Sequence, residues 1–414
     1  MTMDQMRFET RPCPVCRGRR SKPLFHQAFA QLSTANLMDG YTVVICVECG
    51  AGFADGIPPQ SVFDEYYRDL SKYEDPTPTG NQPAPVDPKF RELAALVARF
   101  ISAPDARILE IGSASGGLLM ALRDLGFSDV LGLDPSPACV RAASQSYAIP
   151  GIVGTVFTAA ERGDTYDFLI LTGVMEHIRD LDRAIDQFRL LLRPGGRVFL
   201  EVPDASRYDA RLDAPFQEFS VEHINFFSRA SLTNLMQLRG FRAIEAGCVV
   251  RSLHEVTVPC TYGVFEYVSA PAVVEPDTET LAGLTAYIQG GKAEDTRIRA
   301  AIAQALRPGE RMIVWGAGTH TLRLLATGGL DPARIALFAD SNPKYQQQDL
   351  HGVPIVHPDQ LKDRSEPILI SSRSSQQAIH HQIRHGLGLK NPLILLYGRE
   401  GAGYREEVAP ELDT

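Results

Sequence analysis

No stretch of the chain approaches 18 uninterrupted apolar residues, so no segment is expected to cross a membrane. The opening run MTMDQMRFET has no apolar core behind a charged end, so a secretory leader is not expected and the chain reads as cytoplasmic. An excess of positive charge is missing too: 41 Lys and Arg against 50 Asp and Glu leave a net charge of −9. That balance argues against a general phosphate-backbone binder, and so against nucleic acid as a partner. Internal repeats and low-complexity tracts are absent from the sequence pattern. With 44% hydrophobic and 22% charged residues, the composition excludes a disordered, collagen-like or purely coiled-coil chain. Cysteine is scarce and odd in number, seven in all. In a cytoplasmic chain that disfavours a disulfide framework and points to metal binding or chemistry.

At roughly 150 residues per domain, the length predicts about 2.8 domains. Between Pro76 and Pro88 five of thirteen residues are proline, which no helix or central strand tolerates. A second seam runs from Ser269 to Asp277. These cuts predict an N-terminal module over 1–75, a central domain over 76–268 and a C-terminal domain over 269–414. In the centre, Asp87-Pro88 is an N-cap and first-turn pair, and Phe90, Leu93, Val97 and Phe100 share a helical face. Strands are expected at Arg107–Ile111, Asp129–Leu133, Phe168–Leu171 and Arg197–Val202, with helices between them. Alternation of this kind makes a mainly parallel sheet with helices on both faces. The C-terminal block repeats the style from Met312–Trp315 onward, as a second, smaller α/β domain.

Four cysteines form two C-x-x-C knuckles, Cys13/Cys16 and Cys46/Cys49, with Gly50 after the second. Two-residue spacing lets both thiolates of a knuckle reach one ion, and four thiolates make a closed structural zinc site. A redox pair is disfavoured, because neither knuckle follows a strand and opens a helix. His26 reads as a surface histidine, and the basic run Arg17–Lys22 as a solvated loop. Cys139, Cys248 and Cys260 lie outside any motif and read as packing residues.

Glu110-Ile111-Gly112-Ser113-Ala114-Ser115-Gly116 ends a strand and opens a helix. Glycine at 112 and 116 lets the backbone approach a ligand beside the positive helix N-terminus. Asp134, at the end of the next strand, is placed to take two ribose hydroxyls. A nicotinamide dinucleotide site would need three glycines as G-x-G-x-x-G, which this loop lacks. Further on come Thr172-Gly173-Val174-Met175-Glu176-His177 and Leu192-Arg193-Pro194-Gly195-Gly196. This ordered set resembles the class I S-adenosylmethionine-dependent methyltransferases over about residues 86–250. The resemblance implies that Glu110, Gly112, Ser113, Ala114, Gly116, Asp134, Pro135, Val156 and Thr172 bind that cofactor. Alanine at 114, where the family often has glycine, is a departure, and Gly154–Phe157 replaces the acidic residue often found near the adenine.

The segment Phe219-Ser220-Val221-Glu222-His223-Ile224-Asn225-Phe226-Phe227 is too polar to be simple core, and His177 follows the central strand at the sheet's ligand-binding edge. The bland alternatives are a capping role for His177 and a satisfied structural histidine at 223. Zinc knuckles, methyltransferase core and C-terminal α/β domain in this order resemble the sugar C-methyltransferases that act on nucleotide-linked keto sugars. That resemblance implies His223 as base, with Glu222 beside it and His177 holding acceptor oxygens. It implies that Tyr67 and Tyr73 cover the acceptor, and that Gly316, Gly318, Thr319 and His320 touch a sugar or diphosphate. The expected partner is then a small sugar-like or nucleotide-sugar molecule. Ser220 stands where those enzymes carry tyrosine, so oxygen or nitrogen methylation stays open beside carbon methylation, as does a non-catalytic binding protein. Thr321 occupies the place of a third dinucleotide-fingerprint glycine, so a functional NAD site is not expected.

Overall fold

The computed structural model describes residues 10–32, 37–70, 87–211, 213–253, 256–270, 275–346, 348–398 and 403–407. Tyr73 and nearly all of the proline-rich seam lie outside these residues. Among the described residues, no helix is long and apolar enough to cross a membrane.

The N-terminal part folds as β1 (Ser21–Ala28), β2 (Gly40–Cys46), β3 (Gly52–Asp55) and α1 (Gln60–Leu70). The three strands pair antiparallel; Cys46 ends β2, Cys49 lies in the turn to β3, and Cys13 and Cys16 precede β1. A fourth strand comes from far along the chain: Phe226 pairs with Gly52 and Asn225 with Phe53. Arg11 ties this junction, donating to the carbonyls of Ala54 and Ile224 and to the Asn225 side chain. Cys13, Val15, Cys46 and Cys49 share one packed cluster with Leu109, Leu169 and Leu171 of the central sheet.

The central part runs α2 (Pro88–Ala98), β4 (Ile108–Ile111), α3 (Gly117–Asp124), β5 (Val130–Asp134), α4 (Pro137–Tyr147), β6 (Gly151–Val153), β7 (Tyr166–Thr172), α5 (Leu181–Leu191), β8 (Leu192–Pro203), β9 (Asn225–Phe226), α6 (Arg229–Gln237), β10 (Phe241–Leu253) and β11 (Val256–Tyr267). The starts follow from local chemistry. Asp87 accepts from the amide of Lys89 ahead of α2, with Pro88 in the first turn. Ser136 caps α4, and Ser228 forms a reciprocal cap with Ser231 at α6. The seven strands lie in the order β10-β11-β8-β7-β4-β5-β6, parallel from β8 to β6. Alternate residues of β7 serve opposite faces, Leu169 and Leu171 on one, Phe168 and Ile170 on the other. The strand expected from Arg197 starts earlier, at Leu192, because Leu192 already pairs with Tyr166 and the Pro194–Gly196 stretch bulges out.

The C-terminal part runs α7 (Thr280–Ala305), β12 (Met312–Trp315), α8 (Thr319–Ala326), β13 (Ile335–Ala339), β14 (Asp349–Leu350), β15 (Val353–Val356), β16 (Ile368–Ile370), α9 (Gln376–His381), β17 (Leu393–Leu395) and β18 (Tyr404–Glu406). Its sheet order is β14-β15-β13-β12-β16-β17-β18. Six of these strands repeat the central order β6-β5-β4-β7-β8-β11, each series parallel until an antiparallel last strand. The sequence carries no visible repeat, since a shared topology needs only the pattern of apolar runs and turns and not the same residues. Cys139 and Cys260 are buried as expected; Cys248 is exposed, because it lies on the edge strand β10.

Candidate active site and cysteine cluster

The four knuckle sulfurs lie within 4.8 Å of one another, with Cys13 Sγ 3.6 Å from Cys49 Sγ and Cys16 Sγ 3.5 Å from Cys46 Sγ. The amides of Gly18 and Glu48 point at Cys16 and Cys46, each at 3.4 Å. Crowding splits the acidity of the group. The hydrogen bond from Cys49 pulls Cys13 down to about 6, burial pushes Cys16 up to about 12, and the bond to Cys13 raises Cys49. A divalent cation would let all four be thiolates, so the donor set is compatible with zinc. Arg239 clamps the first knuckle to the central part, donating to Val15 O and Pro14 O at 2.9 Å each. Gly50 is required here: its φ is +78°, and a Cβ would stand 1.9 Å from Asp277 O.

A cavity of about 350 Å³ opens at the carboxyl ends of β4, β5 and β7. Glu110, Gly112, Ser113, Ala114, Asp134, Pro135, Val156 and Thr172 all line it, as do Tyr67 and His177. Gly116 sits one step behind, at the head of α3 with φ +79°. A side chain at Gly112 would meet Val174 at 2.5 Å, so the turn must be bare for the backbone to line the cavity. Asp134 is held by two amides: Ala114 donates to Oδ2 at 2.8 Å and Ser136 to Oδ1 at 2.9 Å.

Glu110 is buried, and its Oε2 has no hydrogen-bond partner among the described residues. Burial, reinforced by the charge of Asp134, pushes its carboxyl well above the usual range. A buried orphan acceptor beside a cavity is answered by a cationic ligand group, and the ammonium of S-adenosylmethionine would supply one. The sequence reading missed Gln60, Asp64 and Phe90, which close the cavity from α1 and α2. Gln60 binds the amides of Arg179 and Asp180 through Oε1, a long-range contact that no local pattern signals.

Next to this cavity the two expected histidines meet edge to face, with ring centroids 4.8 Å apart. His177 is buried; its Nδ1 lies 2.9 Å from the Tyr67 hydroxyl and 3.0 Å from the Glu222 carbonyl. A carbonyl only accepts, which puts the proton of His177 on Nδ1. Glu176, His177 and His223 each offer a donor atom within 4.8 Å of the others. Glu222 is buried and accepts from the Tyr66 hydroxyl through Oε1 at 3.0 Å. Ser220 is buried as well; its Oγ takes the amides of Glu222 and His223 and so builds the turn that presents His223.

A second cavity, of about 340 Å³, lies at the carboxyl edge of the C-terminal sheet and is bordered by Asp213, Ala214 and Gln217 of the central part. Gly316, Gly318, Thr319 and His320 line it, with Asp340, Arg373 and the serines 371, 372, 374 and 375. His320 is buried neutral, since burial and then the charge of Arg323 lower its pKa well below the ordinary value. Its Nε2 lies 2.9 Å from the Tyr397 hydroxyl and its Nδ1 3.4 Å from Arg323. Thr321 Oγ1 lies 2.6 Å from Gly316 O and 2.7 Å from Ser371 Oγ, closing the turn where a third glycine would stand. Open space lies over Gly318.

The family model described as a methyltransferase domain matches residues 88–246. The ubiquinone biosynthesis O-methyltransferase of Rhizobium etli is 31% identical over 99 residues, 23% of this chain and 40% of that protein. The protein of the same description from Methylobacterium nodulans is 25% identical over 156 residues, 34% of this chain and 62% of its own length. The chain thus spans between 40% and 62% of these two curated relatives. A solved S-adenosylmethionine-dependent methyltransferase from Anabaena variabilis is 15% identical, covering 51% of this chain and 96% of its own, with a TM-score of 0.38. The stretch from α2 into β10 is matched as a methyltransferase domain.

Proposed function

We propose that this methyltransferase domain acts on a small, sugar-like and nucleotide-linked acceptor, removing a proton next to a ketone so that a carbon takes the methyl group. The observation that carries the reading is the His177–His223 pair, 4.8 Å between ring centroids, beside the cavity lined by Glu110 and Asp134. Bound S-adenosylmethionine supplies an electrophilic methyl on a sulfonium. Asp134 would take its ribose hydroxyls and Glu110 its ammonium. His223 takes the acceptor's proton, and His177, whose Nε2 is bare when Nδ1 carries the proton, holds the acceptor by accepting from one of its hydroxyls. Tyr67 and, by resemblance, Tyr73 cover the acceptor, while Glu222 and Tyr66 support the turn that carries His223. Gly316, Gly318, Thr319 and Asp340 would receive the nucleotide in the second cavity. The four cysteines would hold one structural zinc, and the chain would divide at about residues 75 and 268.

A second reading is oxygen methylation, favoured by the curated relatives, which are O-methyltransferases by description. It needs the same base and positioning. The deciding experiment is a mass-spectrometric product assay with a panel of nucleotide-linked keto sugars and matched hydroxyl acceptors. A product heavier by one methylene on carbon, lost in His223→Ala, supports the first reading. Methylation confined to oxygen selects the second.

A further inference from the structure

His223 does not stand alone. Its Nδ1 lies 3.0 Å from Oε2 of Glu218, a carboxylate whose side chain is wholly buried. An ionised carboxylate only accepts, so the pair is satisfied when His223 carries its proton on Nδ1. Nε2 is then the basic nitrogen. A buried carboxylate needs a counter-charge, and Arg211 provides it. Its guanidinium pairs with Glu218 on one side and with Asp213 Oδ2 at 2.8 Å on the other, both carboxylates being almost completely buried. The charged groups facing His223 are thus Glu218, with Arg211 behind it, and Glu176 with His177 from the turn after β7.

The backbone around Glu218 is held in place at some cost. Phe216 has φ +58°, a region that a bulky residue adopts only when its surroundings impose it. Its buried ring stacks on Phe25 at 4.6 Å, and Gly291 of α7 leaves room for it, since a Cβ there would stand 2.6 Å from the ring. The Glu218 amide donates to the Tyr287 hydroxyl at 3.0 Å. The Ser220 turn then folds position 223 back onto position 218. Three separate elements converge on one carboxylate–imidazole contact.

We propose that Glu218 is a positioning residue for methyl transfer: it holds the Nδ1–H tautomer of His223 and stabilises the imidazolium formed when Nε2 takes the acceptor's proton. The inference rests on His223 being the base. In the step, the proton passes from the acceptor to Nε2 and the proton on Nδ1 stays in place donating to Glu218; the electron pair left on the acceptor would form the new bond to the methyl carbon as the methyl–sulfur bond breaks, its electron pair going to sulfur and S-adenosylhomocysteine leaving. Glu218 touches neither acceptor nor cofactor.

The test reads the tautomer directly, with no acceptor present. Ring-nitrogen NMR shifts of the full chain labelled with 15N-histidine, with His223 assigned by its loss in His223→Gln, report which nitrogen carries the proton. Expected in the wild type is a protonated Nδ1 and a bare Nε2 at neutral pH. In Glu218→Ala the ring is expected to move to the Nε2–H form that free imidazole prefers. Glu218→Gln, whose amide oxygen still accepts, is expected to keep the wild-type form. A wild-type ring protonated on Nε2 overturns the proposal even if neither Glu218 variant folds, and so does an unchanged tautomer in Glu218→Ala. With an acceptor in hand, Glu218→Ala is expected to lower kcat about 10²–10⁴-fold with S-adenosylmethionine affinity within twofold of wild type. A wild type inactive on every keto sugar would count against the assigned reaction and leave the tautomer result standing on its own.

Discussion

Asp134 accepts the backbone amide of Ala114 through Oδ2 at 2.8 Å, and that one contact joins the end of β5 to the turn after β4. Ala114 has φ +43°, so a residue with a side chain occupies a conformation that glycine usually fills. The aspartate braces the turn and, in the proposed function, would also receive a ribose. Asp134→Ala removes both and is expected to weaken S-adenosylmethionine about 10–100-fold, read by calorimetry and by loss of the cofactor's thermal shift. Asp134→Asn keeps one acceptor oxygen and is expected to lose less. Wild-type affinity in both variants would sink the assignment of this carboxylate to the ribose.

Glu110 sets a pH dependence whose sign is unusual for a carboxylate. Its folded-state pKa is raised well above 4.5, first by burial and then by the charge of Asp134. The folded chain therefore holds a proton that the unfolded chain has released. Its contribution to stability is fully present below the unfolded pKa and is lost as pH rises toward the folded value. Without cofactor, urea unfolding is expected to show stability falling from about pH 4.5 upward, and Glu110→Gln is expected to flatten that slope. At alkaline pH the variant should exceed the wild type by on the order of 1 kcal/mol, while binding S-adenosylmethionine more weakly. Parallel pH profiles for the two proteins would refute this.

Those two carboxylates show what a sequence can carry. Glu110 and Asp134 are legible because each ends a short apolar run at a turn, and the turn itself announces the ligand edge of a parallel sheet. The cysteine spacing is legible for a similar reason, since two-residue separation is a local geometric demand. Glu218 is not legible: it meets His223 five residues on, a spacing that belongs to neither helix nor strand and exists only through the Ser220 turn. Nor is the junction at β9, where Phe226 pairs with Gly52, 174 residues earlier, because nothing local in either segment names its partner. The same holds for α7, 26 residues long with Gly290 and Gly291 at its middle. Glycine there reads as a helix breaker, yet the ring of Phe216 needs the room at Gly291.

The cysteine cluster predicts a metal content and a route by which its loss spreads. Elemental analysis of the purified chain is expected to find about one zinc per chain, and chelation or Cys46→Ser is expected to lower Tm by about 5–10 °C. Arg239 binds the first knuckle through two carbonyls and packs against α6 through Leu235 O. Arg239→Ala should therefore destabilise the metal-loaded chain and make zinc easier to remove, without touching a sulfur. A folded wild type with no zinc would dismiss the metal assignment. Equal zinc release from wild type and Arg239→Ala would dismiss the clamp.

The C-terminal sheet repeats the Asp134 arrangement closely enough to predict its ligand. Gly112 donates to Leu133 O at 2.7 Å, and Gly316 donates to Ala339 O at 2.8 Å. Asp340 then takes the amide of Ala317 through Oδ2 and that of Asn342 through Oδ1, both at 2.8 Å, as Asp134 takes Ala114 and Ser136. One position breaks the parallel: two residues before the first glycine stands Val314 in place of Glu110. The second cavity thus has a carboxylate for a ribose diol and, at the place of Glu110, an apolar side chain. S-adenosylmethionine is expected to bind at one site per chain, and a ribonucleoside diphosphate at the other. Uridine diphosphate should bind about tenfold tighter than its 2′-deoxy form, since the lost hydroxyl faced a charged acceptor. Asp340→Asn should erase most of that preference, as measured by calorimetry. Equal binding of the two nucleotides by the wild type would show that Asp340 does not read the sugar.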